Sequence, residues 1–291
     1  ARFDFQASKA DAVTLQGDYL HSDAGRKDFR AQTSAPFSFL NVEDETTNAG
    51  NILGRWTHEL GKESSFSLQA YWAHFKRDAD GVKAQVRWDT FDLDFQHNLA
   101  LGERQKIVYG VGVRFLEARL QGSGEDNGFA LNLDPKHRSK QLFSAFFQDE
   151  ITLLKDRLGL TLGSKIEHND HTGIEIQPTA RLLWTPSMRH AVWAAVSRAV
   201  RTPNLTEDSA STHLLPAFPA ALNGAPLFPQ VLGNRDFKSE EVIACELGYR
   251  TQATDQLSLD FALFYNVHDN LKTTKSGRVR PGLAAGTFEL P

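Results

Sequence analysis

The chain has 291 residues, 41% hydrophobic and 23% charged, with a formal net charge of −4 and one cysteine, Cys245. This composition excludes a disordered chain, the acidic balance argues against a basic nucleic-acid binder, and one thiol rules out an internal disulfide or a thiolate zinc site. No apolar run approaches the ~20 residues of a membrane-spanning helix; the longest compact one is AVWAAV at 191–196.

The opening ARFDFQAS is already patterned like a strand, so the start is expected to be the middle of a longer protein. SSFSLQAYWAHF, from residue 64, alternates Phe66, Leu68, Ala70 and Trp72 with Ser67, Gln69, Tyr71 and Ala73. DTFDLDFQHN sets Phe91, Leu93 and Phe95 against Asp92, Asp94 and Gln96. IVYGVGVRF sets Ile107, Tyr109, Val111, Val113 and Phe115 against Gly110, Gly112 and Arg114. QLFSAFFQDE follows less cleanly through Phe143, Ala145 and Phe147. RLGLTLGSKIE carries Leu158, Leu160, Leu162 and Ile166 on one side, and EIQPTARLLW carries Ile176, Pro178, Ala180, Leu182 and Trp184. EVIACELGYR places Ile243, Cys245, Leu247 and Tyr249 in step, so Cys245 reads as a lipid-facing or packed thiol. DQLSLDFALFYN closes the series with Leu257, Leu259, Phe261, Leu263 and Tyr265 at every second position. Period-two alternation marks strands with one apolar and one polar face. About twelve can be read from residues 1–8 to 255–268, and helix-period spacing is nowhere sustained.

The connections fall into two alternating classes. Short polar turns read at 8–11, 61–64, 101–105, 155–157, 185–189 and 251–256; between them lie 24–46, 78–83, 120–138, 168–173, 199–238 and the stretch from 269 onward. The three longest belong to the second class. An up-and-down meander sends alternate connections to opposite ends, and outer-membrane barrels have short periplasmic turns and longer extracellular loops. Strands of ten or more residues with an unbroken apolar face suit a hydrocarbon layer ~25 Å tall better than a soluble sandwich. The expected fold is therefore all-β: an antiparallel up-and-down transmembrane β-barrel, present in part. Tyr19, Trp56, Trp72, Trp184 and Tyr249 are candidates for aromatic girdles, or are ordinary strand aromatics. Arg114, Glu117, Arg181, Glu246 and Arg250 are expected to point inward.

SRAVRTPNLTED at 197–208, a long loop, and then GNRDFKSEEVIACELGYRTQATDQLSLDFALFYNVHDNL at 233–271 resemble the barrel of TonB-dependent outer-membrane receptors. Arg201, Pro203, Asn234, Glu240, Glu246, Gly248, Tyr249, Phe264, Tyr265 and Asn266 stand where that family's pattern has them. Phe237 replaces its usual leucine, and Ser239 stands where proline is common. Residues 143–170, through Gln148, Asp149 and Glu150, resemble a mid-barrel hairpin of the same family. The resemblance implies a 22-stranded barrel of which about 12 strands are here, residues 1–291 forming one partial barrel domain without the plug. It implies active uptake of a scarce cargo, such as a ferric siderophore or cobalamin, across the Gram-negative outer membrane. The implied partners are outer-membrane lipid, a small-molecule or metal-chelate cargo, and the TonB energy-coupling complex acting through the plug. It implies no enzyme activity, no cofactor and no nucleic acid. A passive porin-like channel is the alternative, and an outer-membrane barrel enzyme or a soluble binding module stand behind it.

Loop 199–238, with Pro216, Pro219, Pro226 and Pro229, is the first candidate for cargo contact, because long loops carry function. Arg198, Arg201, Asn204, Glu207, Asp208 and His213 are the candidate ligand-binding residues. Guanidinium groups bind carboxylates bidentately, so Arg198 and Arg201 suit an anionic ligand or equally a structural pair with nearby carboxylates. HNDH at 168–171 offers two histidines and an aspartate, but a metal site needs further ligands, and none is assigned. No phosphate loop, dinucleotide fingerprint or nucleophile elbow is present.

Overall fold

The computed structural model describes residues 1–31, 36, 38–79, 84–121, 132–133, 135–213, 218–222, 225–273, 280–281 and 288–290. In chain order the elements are β1 (Arg2–Gln6), β2 (Asp11–Ala31), β3 (Ser38–Gly61), β4 (Ser64–Ala79), β5 (Ala84–Leu101), β6 (Gln105–Gln121), β7 (Asn132–Leu133), β8 (His137–Leu154), β9 (Leu158–Asn169), β10 (Gly173–Ser187), β11 (His190–Arg201), α1 (Leu205–Ser209), β12 (Ala210–His213), β13 (Phe218–Leu222), β14 (Ala225–Leu232), β15 (Glu240–Thr254), β16 (Leu257–Asp269), β17 (Arg280–Pro281) and β18 (Phe288–Leu290). Twelve of them form one sheet, β1-β2-β3-β4-β5-β6-β8-β9-β10-β11-β15-β16, in which each strand pairs antiparallel with the next long strand of the chain. The meander is thus the one expected, with twelve strands. Its ends, β1 and β16, do not pair with each other, so the sheet is an open wall.

The pairing register turns the sequence alternation into two chemically distinct faces. On one, Trp56, Leu68, Phe95, Val111, Ala145, Ile166 and Ile176 follow one another across seven strands. Leu182, Ala194, Leu247 and Leu263 carry the same face on to the last strand. On the other, one row reads Arg55, Gln69, Asp94, Gly112, Ser144, Glu167 and Glu175. Nothing among the described residues covers the apolar face. Among the described residues only Ala118 and Leu120 are buried hydrophobics, whereas Leu263 and Tyr265 are each 70% exposed. Soluble monomers rarely show contiguous apolar surface beyond a few hundred Å². This face is the lipid-facing one, and the polar face lines the lumen. No helix among the described residues is long and apolar enough to cross a membrane, which leaves the strands to do it.

All five girdle candidates lie on the outward face, at two levels. Trp56, Trp184 and Tyr249 sit toward the short turns, and Tyr19 and Trp72 toward the loops. Three of them have partnered polar tips: Trp56 Nε1 donates to Asp11 Oδ1 at 3.0 Å, Tyr19 Oη donates to Asn48 at 3.0 Å, and Tyr249 Oη meets His190 Nδ1 at 2.8 Å. An apolar ring with a hydrogen-bonding edge suits a depth where lipid meets water.

Two expectations are corrected. Glu117 points outward with Phe115, beyond the apolar band, while Arg114, Arg181, Glu246 and Arg250 line the lumen. The stretch 24–46 is not mainly loop: β2 runs to Ala31 and β3 starts at Ser38 in unbroken register. Above the membrane both faces are wet, so alternation vanishes from the sequence while the ladder continues. Cross-strand pairs such as Thr46 with Asp23 at 2.8 Å hold it. The second connections also pair with one another. β7, from the link between β6 and β8, joins β12 and β14, from the link between β11 and β15; β14 in turn joins β18.

Lumen-face aromatics lie over glycines of the neighbouring strand. A Cβ on Gly248 would collide with the Trp193 ring, and one on Gly110 with Phe146 and the Phe95 carbonyl. Trp193 in turn carries Arg250, whose guanidinium carbon is 6.0 Å from the ring centroid. The glycines in ELGY and YGVG are therefore seats for cross-strand rings.

Two outcomes follow for the complete protein refolded in lipid vesicles and unfolded with urea. Val111→Arg, at mid-height of the outward face, should cost about 2–4 kcal/mol, whereas Ala73→Arg on the lumen face should stay within about 0.5 kcal/mol. Gly248→Val should cost about 1–3 kcal/mol through overpacking, and much of that loss should vanish in a Trp193→Ala background.

Candidate functional site

The residues singled out on either side of Pro203 meet at the loop end of the wall. β11 delivers Arg201 to the lumen face as the partner of Glu240 on β15. Pro203 has no N–H to continue the ladder, and the chain turns inward into α1. Asn204 caps that helix: its Oδ1 accepts from the amides of Thr206 and Glu207 at 2.9 Å each, and Glu207 Oε2 accepts from the Asn204 amide at 3.0 Å. This is a reciprocal capping box written as Asn-x-x-Glu, and it fixes where the Glu207 and Asp208 side chains go.

Both carboxylates are almost fully buried among cations. Arg201 holds Glu207 through Nη1 and Nη2 at 3.0 and 3.1 Å, and Glu240 through Nε and Nη2 at 2.8 and 2.9 Å. Lys272, just past β16, donates its Nζ to Glu207 at 3.0 Å and its backbone N–H to Glu240 at 2.9 Å. Asp208 sits 3.0 Å from Lys140 Nζ, 3.5 Å from His171 Nδ1 and 4.0 Å from Arg138 Nη2. Lys140 and Arg138 are on the lumen face of β8, so α1 lies against that face. His171 also bonds the Phe237 carbonyl at 2.8 Å.

A second clamp adjoins the first. Arg198 contacts Glu241 at 2.9 Å and Glu175 at 3.6 Å, and bonds the Ile176 carbonyl where β10 and β11 diverge. Buried Glu175 accepts from the Ser239 hydroxyl at 2.5 Å. Ser239 thus has a role that the family's proline could not play. Arg138, Lys140, Arg198, Arg201 and Lys272 face Glu175, Glu207, Asp208, Glu240 and Glu241, five charges of each sign. The cluster ties β8, β10, α1, β11, β15 and the end of β16 into one knot under the long loop.

Of the six residues named from sequence, five are placed here together: Arg198, Arg201, Asn204, Glu207 and Asp208. His213 ends β12, and its side chain lies outside the described residues, as does Pro216. The HNDH residues separate. His168 points outward from β9, Asp170 accepts from the Gln141 amide at 2.7 Å, and His171 joins the knot. No cluster that could hold a metal ion occurs among the described residues. Sequence reasoning passed over Lys140, Arg138, Glu175, Glu241, Ser239 and Lys272 as site members. The Asn204/Glu207 spacing was a readable capping signal; the others lie far along the chain from Glu207, Lys272 by 65 positions, and left none.

Comparison with known families now adds to the geometry. The family description "TonB dependent receptor-like, beta-barrel" matches residues 2–286. The chain belongs to the TonB-dependent receptors. Among solved structures it is similar to the siderophore receptor PirA of Pseudomonas aeruginosa, at 15% identity and a TM-score of 0.67, over 99% of this chain and 48% of that one. PirA of Acinetobacter baumannii aligns at 17% identity and 0.66, over 100% and 46%. The FrpB iron transporter of Neisseria meningitidis aligns at 16% and 0.62, over 91% and 44%. At such identities the likeness shows the fold. The chain spans less than half the length of these three proteins. Among curated protein sequences none matches.

Glu207 gives the knot a pH dependence. Its hydrogen bonds to Arg201, foremost, hold the carboxyl down to about 2; burial opposes this, and the Asn204 amide and Lys272 assist. A lowered folded-state value stabilises above the ordinary value of 4.5, and that stabilisation is lost as pH falls from there through about 2. Protection of the amides of residues 204–208, as the ratio of intrinsic to observed hydrogen-exchange rate, should therefore be high at pH 7 and fall at pH 3. Glu207→Gln should show low protection at both, with a local loss of about 2 kcal/mol from the lost charged hydrogen bonds to Arg201 and Lys272.

Proposed function

We propose that this chain is one side of the barrel of an outer-membrane receptor that takes up an iron chelate, the remaining strands and an N-terminal plug lying in the rest of the protein. The observation that carries the reading is the wall itself. It has an uncovered apolar outer face, a charged inner face, long connections gathered at one end and two unpaired edge strands. Such edges cannot stand in lipid, where every backbone N–H and C=O needs a partner within the protein. Membership of the TonB-dependent receptors supports energised transport, and the printed descriptions of the neighbours, siderophore receptor and iron transporter, favour an iron chelate over other cargo. In this reading the loop end faces the outside and cargo enters through it. Transport requires no covalent step, so no residue is assigned a catalytic role. The TonB complex draws on the plug and opens the path.

Arg198, Arg201, Asn204, Glu207 and Asp208 then serve cargo binding by fixing the base of the 202–239 connection, and its outer part makes the contacts. Direct contact by the arginines would have a different signature, because Arg201→Lys keeps the charge but loses the double fork.

The test uses cells carrying the complete receptor as their sole route for a labelled ferric siderophore. Uptake should fall to background when the TonB complex is deleted or the proton-motive force is collapsed. Uptake that persists undiminished would identify a passive channel. Arg201→Lys should weaken cargo binding several-fold and raise hydrogen exchange at residues 204–208 together. Weakened binding with unchanged exchange would assign Arg201 to the ligand directly.

A further inference from the structure

Above the apolar band, on the outward face, three cations and a histidine stand directly opposite one another on four neighbouring strands. Lys76 of β4 pairs with Arg87 of β5, Arg87 with Arg119 of β6, and Arg119 with His137 of β8. Direct partners have Cβ atoms ~4.5–5.5 Å apart, and like charges so placed destabilise a sheet. The nearby carboxylates relieve this only in part. Asp78 takes Lys76 at 2.8 Å. Asp89 takes the Nε of Arg87 at 2.9 Å and is shared with His74 at 2.7 Å, which leaves the terminal nitrogens of Arg87 open. Glu117 is 3.6 Å from Arg119 and 3.9 Å from His137, outside hydrogen-bond reach of both. Among the described residues the Arg119 side chain makes no hydrogen bond, and it is 58% exposed.

We propose that this row binds the phosphate of an anionic lipid in the leaflet on the loop side. The position argues for lipid. The row lies on the same face as Trp72, Phe91 and Phe115, four residues further along each of their strands, or ~13 Å along the strand. A lipid whose chains lie on those rings carries its headgroup to the cations. Cargo travels on the opposite face of the wall and never meets them. Phosphate oxygens bridging adjacent guanidinium groups would replace like-charge repulsion with charge-assisted hydrogen bonds, for which arginine is suited. Row and apolar band are continuous, so one molecule satisfies both. The inference rests on the lipid-facing wall and is independent of energised uptake.

The complete receptor in mild detergent is titrated with diphosphoryl lipid A, its dephosphorylated form and inorganic phosphate, with binding read by native mass spectrometry. Lys76→Gln/Arg87→Gln/Arg119→Gln should weaken lipid A binding at least tenfold, whereas Arg104→Gln/Lys155→Gln/Arg157→Gln at the turn end should leave it unchanged. Arg119→Gln alone removes no hydrogen bond of the wall, so it tests the site even if the triple variant fails to fold; a roughly threefold loss is expected. Equal binding by wild type and Arg119→Gln, or by wild type and a folded triple variant, would overturn the proposal. So would equal affinity for the dephosphorylated lipid, or competition by inorganic phosphate at the same concentration as lipid A. A protein partner lost from the triple variant, with lipid binding intact, would also overturn it.

Discussion

Hydrocarbon offers a backbone no hydrogen bond, and most of this structure follows from that. Each strand must be paired on both sides, so the chain runs up and down with every long strand beside the next. The side chains that meet lipid must be apolar, so the hydrophobic face points out and the interior is charged. The usual core is nearly absent as a result. Its place as the source of cohesion is taken by the ladder itself, by rings laid over glycines on the lumen side, and by lipid on the outside.

The same constraint explains where charge is concentrated. Inside the wall, Arg114 donates to both Asp92 oxygens through its Nε and Nη2 at 2.7 and 3.0 Å, and Arg250 pairs with Asp260 at 2.8 Å. These pairs face a wet lumen and are modest in energy. At the loop end the setting differs. Burial of Glu207 and Asp208 makes their partners obligatory, because an unpaired buried charge is costly. The capping box, the double fork of Arg201 and the Lys272 bridge therefore form one unit that turns the chain inward. The base of the long connection is rigid by construction, and variation is left to the parts above it.

Strand number, strand order and which face meets lipid were legible in the sequence, because a side-chain period of two is a direct record of two different solvents. The record ends where the solvents become the same. Residues 24–31 and 38–46 alternate in structure but face water on both sides, so their composition reads as loop. Glu117 was misassigned for a related reason: beyond Phe115 a charged outward residue no longer conflicts with its surroundings. Within the knot, Arg201, Asn204 and Glu207 were visible as a local pattern, while Lys140, Glu175 and Lys272 were not, since only pairing across strands brings them in.

The sequence by itself determined the spans, their inside and outside faces and the alternation of short and long connections, all set by local chemistry against lipid and water. Tertiary structure alone decided the contacts between distant strands. It placed the carboxylates of α1 against Arg201, Lys272, Lys140 and Arg138, joined the long connections in a small sheet and aligned Lys76, Arg87, Arg119 and His137 in one row. Register is the physical reason: a slip of a single residue would keep each strand amphipathic in composition yet exchange every cross-strand partner.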